Sequence, residues 1–119
     1  MPSQAAHRRQ AEHNRRFLHT FDLASADYLD WVVTVLFYTA LHLIDSYLAT
    51  HGHHPKSHQE RNKYIRRYPY LALIWPDYRF LEHRSRAARY DVVTFELAQV
   101  ERLYRRLETI ETHIAALTL

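Results

Sequence analysis

Apolar residues fall on nearly every side of one stretch, Tyr28 to Leu48, which reads YLDWVVTVLFYTALHLIDSYL. A surface helix keeps one face polar, so a helix apolar all round belongs at the centre of a core. Ser25 offers an N-cap and Asp27 favours the positive pole. Gly52, the one glycine in the chain, stands just past Thr50 and His51, where a helix needs a left-handed exit. Thr34, Tyr38, His42 and Asp45 follow at three- and four-residue steps and gather into a single polar stripe. A membrane span would not carry that stripe, so the segment reads as a core helix with a polar seam. A buried His and a buried Asp each require a partner to offset the loss of water.

Weaker patterns flank this helix. From Ser3 to about Phe21 only a thin apolar stripe is offered, by Ala6, His13, Phe17 and Leu18, which predicts a first helix packed lightly or against a second subunit. After the loop HGHHPKS, Ser57 and Glu60 form a capping box that opens a helix from about His58 to Arg67. Pro69 ends it, and Pro76 opens the next, PDYRFLEHRSRAARYD, with Leu81, Ala87 and Ala88 inward. From about Thr94, Val100, Leu103, Leu107, Ile110, Ile114 and Leu117 recur at alternating three- and four-residue steps, the seam of a last bundle helix.

One glycine in 119 residues, 47% hydrophobic content and no alternating strand pattern predict a single all-α domain over residues 1–119: a four-helix up-and-down bundle with a short extra helix. The absence of cysteine removes disulfides, thiolate catalysis and thiolate-held zinc. The polar N-terminus has no apolar run of signal-peptide type, so the expected setting is cytoplasmic, without membrane contact.

The net charge of +3 hides an asymmetry. From Arg61 to Arg89 eight Lys and Arg face two acids, whereas from Asp91 onward three Arg face five acids. A basic middle suits a polyanion or an acidic partner. Tyr64, Tyr68, Tyr70, Trp75, Tyr78, Phe80 and Tyr90 interleave with these cations, a composition that can hold phosphates on Arg and bases on rings. Aromatics at helical spacing also build ordinary cores.

Among chemical groups, His dominates. His51, His53, His54 and His58 in one short stretch could ligate a transition metal, and so could a site inside the bundle from His42, His58 and His83. Neither set gathers a cysteine or carboxylate, and no metal or cofactor is assigned. One glycine cannot build a phosphate-cradling loop. Acid–base chemistry would have to come from His with Arg support, a pairing suited to metal-free RNA cleavage through the neighbouring 2′-hydroxyl.

The succession FYTALHLIDSYLATHGHHPKSHQER, YRFLEHRSRAARYD and a long amphipathic helix resembles the HEPN domains (higher eukaryotes and prokaryotes nucleotide-binding) from Trp31 onward. Pro55 and His58 match that family's start to the helix after the loop. The resemblance implies a four-helix bundle, commonly dimeric, of toxin–antitoxin, phage-defence and RNA-processing systems. Active members are metal-independent endoribonucleases with an Arg, four to six residues, then His and often Tyr. Here Arg84 and Tyr90 fit that motif and Arg89 stands where His would be. Arg stays protonated and cannot take a proton from an attacking hydroxyl, although it can hold phosphate. Arg106 with His113, and Arg8 with His13, meet the bare spacing elsewhere in the chain.

The expectation is a noncatalytic HEPN-like module, a homodimer, that engages RNA, a nucleotide or an acidic cognate partner protein through Arg61, Arg84, Arg86, Arg89 and Tyr90. Tyr38, His42 and Asp45 form its polar core seam. Two alternatives stand beside it. One is a ribonuclease whose base is a displaced His, His42 or His58; the other is a His-ligated metal-binding bundle.

Overall fold

The computed structural model describes residues 1–23 and 27–118. Six helices follow in order: α1 (Gln4–His19), α2 (Leu29–Thr50), α3 (His58–Arg67), α4 (Pro69–Ala72), α5 (Trp75–Tyr90) and α6 (Leu97–Leu117), with no strand among the described residues. Four of them are long and make the bundle. The single turn α4, begun by Pro69 itself, adds a second short element beyond the one expected.

The predicted central helix is central. Val32, Val33, Leu36, Phe37, Ala40, Ile44 and Leu48 of α2 are wholly buried, and α1, α5 and α6 all pack on it. By length and apolarity α2 could cross a membrane, but most of it is buried against its neighbours. The predicted cap Ser25 lies outside the described residues, and Tyr28 precedes the helix without a side-chain cap. At the other end Gly52 adopts φ of 78° and turns the chain out, as its position required.

The seam of α6 is buried from Val100 through Ile114, with Leu117 half-buried at its end. Each such side chain contributes on the order of 1.5–3 kcal/mol. Its start is later than the periodicity suggests, because Glu96 and Gln99 form the capping box and leave 92–95 outside the helix.

Helix α1 corrects the sequence reading. Its inward residues are Ala11 and Leu18 together with the half-buried Ala6, His7, Asn14 and Arg15, so Ala6 and Leu18 of the expected stripe hold while Phe17 and His13 face solvent. It lies along α2, with His7 beside His42 and Arg15 paired to Glu111 of α6 at 3.4 Å. The inward face was hidden because three of its members are polar.

Contacts fix the directions of the helices. Asp77 at the start of α5 meets Arg106 of α6, and Arg84 near its end lies over Phe95 just ahead of α6, so these two helices run antiparallel. His7 against His42, with Arg15 alongside Glu111, sets α1 antiparallel to both α2 and α6. The result is an up-and-down bundle with α3 and α4 as a strap between its second and third long helices.

Candidate functional site

Three members of the polar stripe on α2 find three different partners. Asp45 accepts two hydrogen bonds from Arg61 of α3, Nε at 2.7 Å and Nη2 at 3.0 Å, with both side chains buried. His42 faces His7 of α1, their Nδ1 atoms 3.1 Å apart. The Tyr38 hydroxyl accepts from Arg89 Nη1 of α5 at 2.8 Å. Thr34 turns back and donates to the Asp30 carbonyl one turn away. The stripe is thus a row of anchors for α3, α1 and α5 rather than one site.

The ion pair positions the first residue of the site. Ser57 accepts from the Glu60 amide and starts α3, while Glu60 reaches back to the Lys56 amide. His58 therefore occupies the first helical position, one turn before Arg61. Its Nδ1 lies 3.4 Å from Arg61 Nη1. Arg carries only donors, so this Nδ1 accepts and the ring proton sits on Nε2. Partial burial, the Arg61 charge and, more weakly, Arg89 lower the His58 pKa below its usual value. His58 is a neutral imidazole whose lone pair is turned to Arg61 and whose free nitrogen is an N–H donor.

The end of α5 supplies the rest. Arg89 donates from Nε to the Ser85 carbonyl and lies over the rings of Phe37, Tyr38 and Tyr90, 5.2–5.7 Å from their centroids. Its second terminal nitrogen makes no hydrogen bond among the described residues. Arg86 is exposed, and no hydrogen bond or ion pair ties it to another described residue. Tyr90 is 73% exposed. Together with His58, Gln59, Asn62, Arg79, Glu82 and Asp91 these three line a cleft of about 740 Å³ between the start of α3 and the end of α5. Glu82 in its wall is occupied already: it accepts from Asn62 Nδ2 and from Arg79 Nη1 at 2.8 Å.

Of the residues expected to bind, the structure gathers Arg86, Arg89 and Tyr90, and adds His58. Arg61 is a correction: it is 7% exposed and committed to Asp45, so it holds the fold and orients His58. Arg84 lies outside the cleft, over the Phe95 ring at 5.1 Å. His42 stays at the α1 contact, and His83 is exposed and does not line the cleft. Arg106 pairs with Asp77 and lies over Phe80, while His113 donates to the Tyr70 carbonyl, so that Arg–His spacing serves packing.

The metal alternative loses its geometry. His51 lies tilted against Tyr47 and Tyr68, His53 is tilted against Tyr64 and edge-on to Tyr68, and His58 lines the cleft. No three His, Asp or Glu side chains among the described residues converge as a metal set.

No family model, curated protein or solved structure matches the chain. Gln59, Asn62, Arg79, Glu82 and Asp91 are the cleft residues that the sequence reading does not name as site residues. Glu82 shares the inward face of α5 with Tyr78, Leu81 and Ser85, so its place on a buried stripe was a readable sign that it needed donors.

Proposed function

We propose that the protein is a noncatalytic HEPN-like module, a cytoplasmic homodimer, that binds a phosphate-bearing ligand, RNA or a nucleotide, in the cleft between α3 and α5. One observation carries this reading: an unengaged guanidinium (Arg86), a half-engaged one (Arg89) and an imidazole N–H (His58) line the same cleft. Guanidiniums match phosphate oxygens in geometry and charge, and the α3 N-terminus, with His58 and Gln59 at the cleft wall, adds its positive pole. Tyr90 offers an open ring for a base.

The ribonuclease alternative draws support from His58, which lines the same cleft as Arg86 and Arg89. A base needs a lone pair free to face the attacking hydroxyl, and that of His58 points to Arg61. The binding reading is therefore preferred.

Fluorescence anisotropy of labelled single-stranded RNA, titrated with the protein at several salt concentrations in EDTA, tests both. Binding that weakens with salt and is lost in Arg86→Ala, with the RNA intact, is the expected result. Fragments ending in cyclic phosphate and abolished by His58→Ala would replace this reading with the nuclease. No binding would remove it.

A further inference from the structure

Of the eight cations from Arg61 to Arg89, three line the cleft, Arg79, Arg86 and Arg89. Arg61 is held by Asp45, Arg79 by Glu82 and Arg106, on the facing helix, by Asp77. Arg66 lies over Trp75 and Arg84 over Phe95, and neither they nor Lys63 and Arg67 line the cleft. Lys63, Arg66 and Arg67 are exposed on α3 but lie outside the cleft lining. In the cleft Arg79 is taken by Glu82, which leaves Arg86 and Arg89 as the available guanidiniums, with His58 beside them.

The opposite chemistry stands beside them. Glu82 and Asp91 also line the cleft, and Asp91 is exposed. A strand threading through would bring its next phosphates towards Asp91 and towards Glu82, whose cation partner in the cleft, Arg79, is already engaged. Proteins that hold the interior of a single strand use a continuous basic groove with several aromatic platforms. Here one point of positive charge and one open ring are on offer.

Resting on the proposed function, we infer that the group taken by Arg86, Arg89 and His58 is a phosphomonoester: the terminal phosphate of a nucleotide or of an RNA end, its nucleoside against Tyr90. A monoester carries close to two negative charges at neutral pH and three terminal oxygens, which suits three separate donors. An internal diester carries one charge and two free oxygens, and two neighbours that must be accommodated as well.

The experiment uses one short ribo-oligonucleotide, labelled internally, in three forms: 5′-phosphorylated, 3′-phosphorylated and hydroxyl at both ends. Each is titrated with the full chain, and a nucleoside monophosphate serves as competitor. One phosphorylated form should bind about tenfold or more tightly than the hydroxyl form, and Arg86→Ala should erase the difference. The salt slope should be about −0.7 to −1.4, the release expected for one or two phosphates on a single strand. Displacement by the monophosphate marks a free nucleotide as the source, and resistance to it marks an RNA end; either supports the inference. Equal affinity of all three forms overturns it and leaves the proposed function standing. Failure of every oligonucleotide and of the monophosphate to bind overturns both.

Discussion

Arg61 and Asp45 form a bidentate pair in the interior, 2.7 and 3.0 Å long, and it is this pair that clamps the short helix α3 to the core helix α2. Breaking such a pair strands a buried charge. Asp45→Ala should therefore destabilise by about 3–5 kcal/mol, whereas Asp45→Leu combined with Arg61→Met should cost markedly less than the two single changes added together. Equilibrium denaturation of the four proteins checks this, and strict additivity would show that the two side chains are not coupled. Arg61→Met alone should also free the His58 lone pair, raising the accessible pKa of that imidazole as read by NMR titration.

Arg86 and Arg89 differ in what they do for the fold. Arg86 makes no tie, so Arg86→Ala should leave the melting temperature within about a degree while removing phosphate binding. Arg89 holds the Tyr38 hydroxyl and three ring faces. Arg89→Ala should cost about 1–2 kcal/mol as well as affinity. Arg86→Ala is thus the variant that separates ligand binding from stability; a large stability loss from it would place Arg86 within the packing.

The long helices were legible because they are read from period and punctuation. The α6 seam, the proline stops and the Gly52 exit are local signals, and each lies where its pattern put it. What depended on pairing across the chain was not legible. Asp45 was seen to need a donor, but nothing at sequence level chose Arg61 over Arg86 or Arg89, since all three are arginines of the same basic stretch. His7 escaped notice for a related reason: its inward face is polar, and only the partner His42 on α2 explains it. The cleft is half visible in the sequence, through Arg86, Arg89 and Tyr90 on one helix and His58 as a candidate base, while Asn62 and the pairing of the two helices come only from the fold.

Gly52 tests the punctuation directly. Its φ of 78° lies in the left-handed region, and a Cβ added there meets no atom within 4 Å. Any loss in Gly52→Ala is therefore conformational, about 1–2 kcal/mol, with no steric part. A thermal melt measures it, and a loss of 4 kcal/mol or more would mean the loop 51–57 carries contacts that the turn must preserve.

The His7–His42 contact makes stability depend on pH, and the sign follows from which state binds protons more readily. Their Nδ1 atoms, 3.1 Å apart, can share a hydrogen bond only while one of them keeps its lone pair. Burial lowers the pKa of both below the usual 6.5. For His42 the neighbouring His7 acts next in the same direction, Asp45 opposes it and Arg61 reinforces it; for His7 the order is Asp45 opposing, then Arg61 and His54 reinforcing. The unfolded chain thus takes up protons at a pH where the folded one resists, and stability falls as pH drops below about 6.5, while above that it is fully present. His58 is shifted the same way, by partial burial first and the Arg61 charge next. Denaturation curves from pH 8 to 5 should be level at first and then decline, and His42→Gln should flatten the decline relative to wild type. His58→Gln serves as the comparison. If His42→Gln leaves the slope unchanged while His58→Gln flattens it, the acid sensitivity lies in the cleft and not in the seam between α1 and α2.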